Sequence, residues 1–292
     1  IPVTRMEGVT WSLLGAAQSD SIIGGQGRAV SLDGGYRSFM GDRVLFMSAG
    51  GRAAGNSRGS RAAQWMLLEQ AVNEAESEMK WLPGPLLTPA GRTALESYLD
   101  GGTVIFDVHR ASDILQVLAF AEKHGLKAVI NGGAEAWKVA DELAAAGVPV
   151  ILNPLSNLPS NFDMLGARLD NAALLNEAGV TIAFSGFETH HSRKQRQAAG
   201  NAVASGLPWE TALAALTAHP ADILGLEEGF GRIEPGSPAD IVIWSGDPLE
   251  VTTAAEQVIL GGKAIDMVSR QSLLRDRYLQ ENPGLPRAYI HP

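Results

Sequence analysis

The residues able to do chemistry fall into a few short clusters. Asp107, His109 and Arg110 stand together; Asn131 precedes Gly132, Gly133 and Glu135; Asn153 and Asn157 follow; Ser185, Glu188, His190 and His191 close the series. A neutral imidazole such as that of His109 binds a divalent metal or passes a proton. Glu188 has the chemistry of a metal ligand or a general base. Arg110, Asn131 and Asn153 offer hydrogen bonds to a substrate amide or carboxylate. Each also has a plainer reading. His109 is equally a strand-end histidine bonded to a neighbour, Glu188 an exposed loop residue, and Asn153 and Asn157 the caps of their own loops. His190 and His191 are adjacent, so both cannot face the same way, and the stretch through Lys194 and Arg196 reads as solvated. His124, at the end of a helical pattern, suits the helix dipole. His219, before Pro220 at what reads as a helix exit, and His291, in a tail, read as structural.

What must position these clusters is an alternation of strands and helices. Thr103 to Val108 reads as a strand, Ala111 to His124 as a helix closed by Gly125, and Lys127 to Ile130 as a strand. Ala134 to Ala146 reads as a helix closed by Gly147, Val148 to Leu152 as a strand, and Arg168 to Ala178 as a helix closed by Gly179. Val180 to Phe184 is the next strand, followed by helices from Arg193 to Ser205 and from Pro208 to Ala218. Strands that are apolar throughout, each followed by a helix ending on glycine, describe β/α units around a parallel sheet. The repeat length is that of a barrel, in which catalytic groups sit at the C-terminal ends of the strands. Every cluster above occupies such an end. Upstream, Gly8 to Gly15 reads as a buried strand and Arg61 to Met79 as an amphipathic helix. The glycines at 24, 25, 27, 34 and 35 fit a turn-rich β-arm better than a phosphate cradle, since no Gly-Lys-Ser/Thr follows. Fewer strands are countable than the eight of a full barrel, and the chain begins abruptly, so the expectation is a barrel incomplete at its N-terminus.

Composition narrows the classes. The 292 residues are 45% hydrophobic, with a formal net charge of −9 and no cysteine; mean hydropathy is +0.02 and the pI is near 5.2. An acidic chain is a poor partner for nucleic acid. No apolar run approaches the length of a membrane helix. Without cysteine, thiolate metal sites and disulfides are absent, a composition that suits cytoplasm or periplasm alike. No charged-then-apolar leader pattern opens the chain.

Toward the C-terminus, Ala218-His219-Pro220-Ala221-Asp222-Ile223-Leu224-Gly225-Leu226 precedes Gly231-Arg232-Ile233-Glu234-Pro235-Gly236-Ser237-Pro238-Ala239-Asp240-Ile241-Val242-Ile243-Trp244 and Gly246-Asp247-Pro248. Pro235-Gly236 is a turn dipeptide, and 240–244 is a strand ended by Gly246-Asp247-Pro248. This ordered set resembles the closing signature of metal-dependent amidohydrolases, and the order of elements is similar to their imidazolonepropionase-like branch. The resemblance implies an α/β fold: a TIM-type (β/α) barrel over residues 1–228, lacking its first strand or strands, with a small β-sandwich element and tail over 229–292. It implies hydrolysis of a C–N bond in a small amide, cyclic amide or dipeptide by metal-activated water in the intact parent, with zinc the expected ion. His109 matches one ligand position, His190 can add another, and Glu188 stands in for the final acidic residue. The family's I-x-H-G setting is matched at Ile130-Asn131-Gly132 with Asn, a poor zinc ligand, and the H-x-H pair has no counterpart. The competing expectation is a non-catalytic relative that binds a small ligand, with no metal in this chain. Open strand edges in a partial barrel lead to the further expectation of a homo-oligomer or a complementing N-terminal segment.

Overall fold

The computed structural model describes residues 1–15, 21–57, 59–77, 84–186 and 189–279. Its main sheet has seven strands in chain order: β1 (Trp11–Leu14), β2 (Ile23–Ser31), β3 (Phe39–Ser48), β4 (Thr103–Val108), β5 (Lys127–Gly132), β6 (Val150–Leu152) and β7 (Ile182–Phe184). β1, β2 and β3 pair antiparallel, whereas β3 through β7 pair parallel. The result is a curled half-barrel with helices along one side. The expected β/α alternation is therefore present, with an antiparallel arm added at its start.

The two faces of the sheet follow from the period of two along each strand. Leu45, Met47, Val104, Phe106, Val108, Ile130, Val150, Leu152 and Ile182 pack against the helices, meeting Leu68, Val72, Ile114, Val117, Leu143 and Leu175. Most of these side chains are fully buried, each worth about 1.5–3 kcal/mol of transfer free energy. The alternate residues Val44, Ile105 and Val129 face the other way and meet Leu224, with Trp11, Phe46, Ile151, Ile223 and Leu226 around them. Those faces read as apolar throughout because both are covered.

Several elements differ from expectation in ways that packing explains. The first strand is shorter than 8–15 and only half-buried, because it is the sheet's antiparallel edge, and Leu14 at its end is exposed. The glycines at 24, 25 and 27 lie inside β2. A Cβ at Gly27 would come within 2.2 Å of the Leu14 backbone oxygen, so close backbone approach is the use of that glycine, whereas Gly25 has open space around it and a φ of +114°. The helix expected over 134–146 is divided into a 3-10 turn (Ala136–Val139) and an α-helix (Ala140–Ala145). The helix expected over 168–178 begins only at Asn171, Arg168 being engaged with Asp170. The C-terminal element is a three-stranded antiparallel sheet of β8 (Ile241–Trp244), β9 (Ala255–Leu260) and β10 (Lys263–Ala264), ordered β10-β9-β8.

The edge beyond β7, expected to lie open, is occupied by the chain itself. Ala215 O accepts from Phe184 N at 3.1 Å, and His219 Nδ1 lies 2.9 Å from Ile182 O, which fixes that nitrogen as the donor. His219 is thus at the start of the helix Ala218–Ile223 rather than at a helix exit. Arg196 ties the terminal segment on. Its Nη1 donates to Pro248 O (3.2 Å) and Glu250 O (2.6 Å), and its Nη2 to Thr253 O (2.6 Å). The guanidinium also lies 5.2 Å from the Trp244 ring. Among the described residues no helix is long and apolar enough to cross a membrane.

Replacing Arg196 by Met keeps the stem but strands three carbonyls, at a cost of about 3 kcal/mol. Urea unfolding will show that loss, together with faster proteolytic nicking between 245 and 255; an unchanged midpoint would refute the clamp.

Candidate functional site

At the C-terminal ends of the parallel strands, the face turned from the helices changes from apolar to polar. Ser48, Asp107 and Asn131 are in register across β3, β4 and β5, each two residues beyond an apolar position of the same face. Asn131 Nδ2 donates to Asp107 Oδ1 at 3.3 Å, and both side chains are half-buried. His109 follows Asp107 by two positions, is also half-buried, and lays its ring beside Gly132. A Cβ built on Gly132 would sit 2.4 Å from His109 Cε1 and 2.7 Å from Nδ1, and the glycine's φ is +98°. The imidazole therefore fills the space that a side chain at 132 would need.

A frame of buried charges holds the loops around this row. Glu135, 7% exposed, accepts from Lys138 Nζ (2.9 Å), Gly166 N (3.1 Å) and Ala111 N (3.2 Å), joining the loops after β4, β5 and β6. Burial alone would raise its pKa, but the Lys138 ammonium and the two amides outweigh it and hold the carboxyl below its ordinary value. Gln64, fully buried, accepts from Gly50 N at 3.1 Å and donates to Ser48 O at 2.9 Å, pinning the turn after β3. Arg61 bridges Asp113 (3.2 Å) and Asp163, whose other oxygen accepts from Gly51 N at 2.6 Å. Burial pushes the Asp113 carboxyl above its ordinary value; the Arg61 guanidinium opposes this and the neighbouring Asp163 adds to it.

The residues singled out from sequence are only partly gathered. His109 and Asn131 stand at the mouth. Arg110 is exposed at the N-cap of the helix Ala111–Lys123 and makes no capping bond with its side chain. Asn153 accepts from Leu155 N at 2.9 Å, the bond of a loop cap. His190 belongs by its backbone to the 3-10 helix Thr189–Lys194, and Glu188 lies outside the described residues. Asp107 was visible as a strand-end residue, and sharing the parity of Ile105 and His109 marks it for the same face. Arg61, Asp113 and Asp163 gave no such signal, because their partners are about a hundred positions apart or in other loops.

A catalytic zinc takes three protein ligands and a water, and among the described residues no group of three or more His, Cys, Asp or Glu converges. Counted from Ile130, the I-x-H-G setting places its histidine on Gly132 rather than on Asn131, and there the His109 ring leaves no room for a second side chain. Asn131 turns its amide to Asp107 instead. The described residues do not fit a metal.

Comparison with known proteins agrees with the architecture. A family model described as "Amidohydrolase family" matches residues 177–266, which include the signature from Ala218 to Pro248. The Amidohydrolase tasK of Hapsidospora irregularis is 49% identical over 59 residues, 20% of this chain and 6% of that protein. The crystal structure of an amidohydrolase from Thermotoga maritima MSB8 superposes with a TM-score of 0.78 at 26% identity, covering 91% of this chain and 74% of that one. The family model, the relative and the solved structure together support the amidohydrolase superfamily for this chain.

Two substitutions test the site's construction. Gly132→Ala adds both a clash with His109 and left-handed strain, and costs about 2–4 kcal/mol. Gly147→Ala, at φ +62° with nothing within 4 Å of its Cβ, carries strain alone, about 1 kcal/mol; equal losses in thermal unfolding would remove the packing argument. For Glu135, a folded pKa below the unfolded one means stabilisation present above the ordinary glutamate range and lost as pH falls through the folded value. The stability advantage of the parent over Glu135→Gln is therefore full at neutral pH and shrinks below about pH 4.5, as paired urea titrations will show; an advantage that grows on acidification would contradict the assignment.

Proposed function

We propose that this chain carries the mouth of a hydrolase acting on a C–N bond in a small amide, cyclic amide or dipeptide. The observation that supports this most is the polar row of Ser48, Asp107 and Asn131, with His109, at the C-terminal ends of parallel strands. That is where barrel enzymes keep their chemistry, and the superfamily is one of hydrolases. In this reading Asp107 and Asn131 hold the amide by hydrogen bonds. As water adds to the carbonyl carbon and the C–N bond breaks, His109, beside them on the same strand end, supplies a proton to the departing nitrogen and regains one from the added water. The loop ties through Glu135 and Asp163 hold the row in place. Assignment to the imidazolonepropionase-like branch, the small molecule as sole ligand, and association with a second copy or a further segment belong to the same proposal.

A second reading is favoured by one observation, the Gly132 position filled by the His109 ring: a superfamily barrel that binds its ligand and does not turn it over. The two are separated by incubating the purified chain with lactams, small amides and dipeptides, with and without added zinc or manganese, and measuring released amine. Turnover abolished in His109→Ala supports the hydrolase. Ligand binding without release supports the second reading, and neither binding nor release overturns both.

A further inference from the structure

A second polar cleft lies at the other end of the sheet from the mouth, where the parallel strands begin. Arg43, Lys127, Tyr98 and Asp42 line it together with the buried side chains of Val44 and Leu224. Its volume is about 410 Å³, within the range of small-molecule sites. Along β5, Lys127 stands four residues before Asn131, which puts the cleft roughly 13 Å from the polar row. Whatever it holds takes no part in chemistry at the mouth.

The polar groups of this cleft are arranged mainly as donors. Arg43 Nη1 donates to Gln26 Oε1 at 3.3 Å, and Gln26 Nε2 donates to the Tyr98 hydroxyl oxygen at 2.9 Å. Because a guanidinium can only donate, it turns the carboxamide oxygen to itself and the nitrogen to the phenol. The phenol's own O–H is left to donate, and among the described residues nothing accepts it. Tyr98 is only 4% exposed, and a hydroxyl that deeply placed calls for an acceptor. Burial also pushes the phenol's pKa up, so the hydrogen stays on it at neutral pH. None of the ion pairs among the described residues involves Arg43, Lys127 or Asp42. Two cations beside one carboxylate leave a single net positive charge, which matches a monoanion and disfavours a dianion. We propose that this cleft binds a small organic monocarboxylate, its oxygens met by Arg43, Lys127 and the Tyr98 hydroxyl and its apolar body by Val44 and Leu224.

The test titrates the purified chain with benzoate, with benzyl alcohol as its neutral counterpart, and with inorganic phosphate, each followed by ligand-observed NMR. Benzoate is expected to bind at least about tenfold more tightly than the other two, the margin of a charge-assisted contact. Lys127→Met, Arg43→Gln and Tyr98→Phe each weaken it about fivefold or more, with circular dichroism confirming their fold. Asp42→Asn shifts the preference toward phosphate, a gain that unfolding does not mimic. His109→Ala, at the mouth, leaves benzoate binding unchanged. Absent benzoate binding, equal binding of benzoate and benzyl alcohol, or a preference of the parent for phosphate overturns the proposal. So does benzoate binding that His109→Ala abolishes and the cleft variants spare. That last outcome puts the carboxylate at the mouth and leaves the hydrolase reading standing.

Discussion

An open sheet has to satisfy the backbone groups along its last strand, and much of this molecule follows from how it does so. Ile182 O and Phe184 N, the outward groups of β7, are met by His219 and by Ala215 rather than by another strand. Holding 215–219 against that edge fixes the start of the helix Ala218–Ile223. The helix in turn delivers Ile223, Leu224 and Leu226 to the face of the sheet turned from the helices. The apolar part of that face is covered, and only its C-terminal end is left to polar residues. One pair of hydrogen bonds at the rim thus decides where the interior ends and the mouth begins.

The mouth depends on a second constraint, that charges taken out of water must be paired. Glu135 and Asp163 each bind backbone amides of loops other than their own, and each meets a cation. Loops that would otherwise vary independently are fastened to one another at the ends of β3 to β6. Asp113 shows the opposing side of this economy: burial raises its pKa in spite of Arg61, so this frame is held by geometry as much as by attraction.

The parallel core was legible because its strands, from Thr103 to Val108 through Val180 to Phe184, are apolar without interruption and each following helix stops at a glycine. The signature from Ala218 to Pro248 placed the end of the half-barrel and the sheet beyond it. Less legible was anything that depends on distant partners. The antiparallel arm hid behind glycines, of which Gly27 serves close contact with Leu14 and Gly25 a left-handed backbone turn. The role of His219 requires the edge of β7, and Arg196 finds its carbonyls more than fifty positions away. At the site, His109 and Asn131 were marked by position alone, while the pairing of Asn131 with Asp107 needed the register of β4 and β5. Asn153 has the type of a binding residue and the bond of a loop cap.

The packing of His109 on Gly132 also bears on the order in which such a sequence can change. A histidine cannot be introduced at 132 while the ring at 109 holds its present place, since the first atom of the new side chain would already collide with it. Moving the ring first leaves a void over a glycine whose φ suits few other residues. Any route between this arrangement and one with side chains at both positions therefore passes through an intermediate that is worse than either end, unless both sites change together. The two positions are therefore coupled sterically, and a change at one is tolerated only with a matching change at the other.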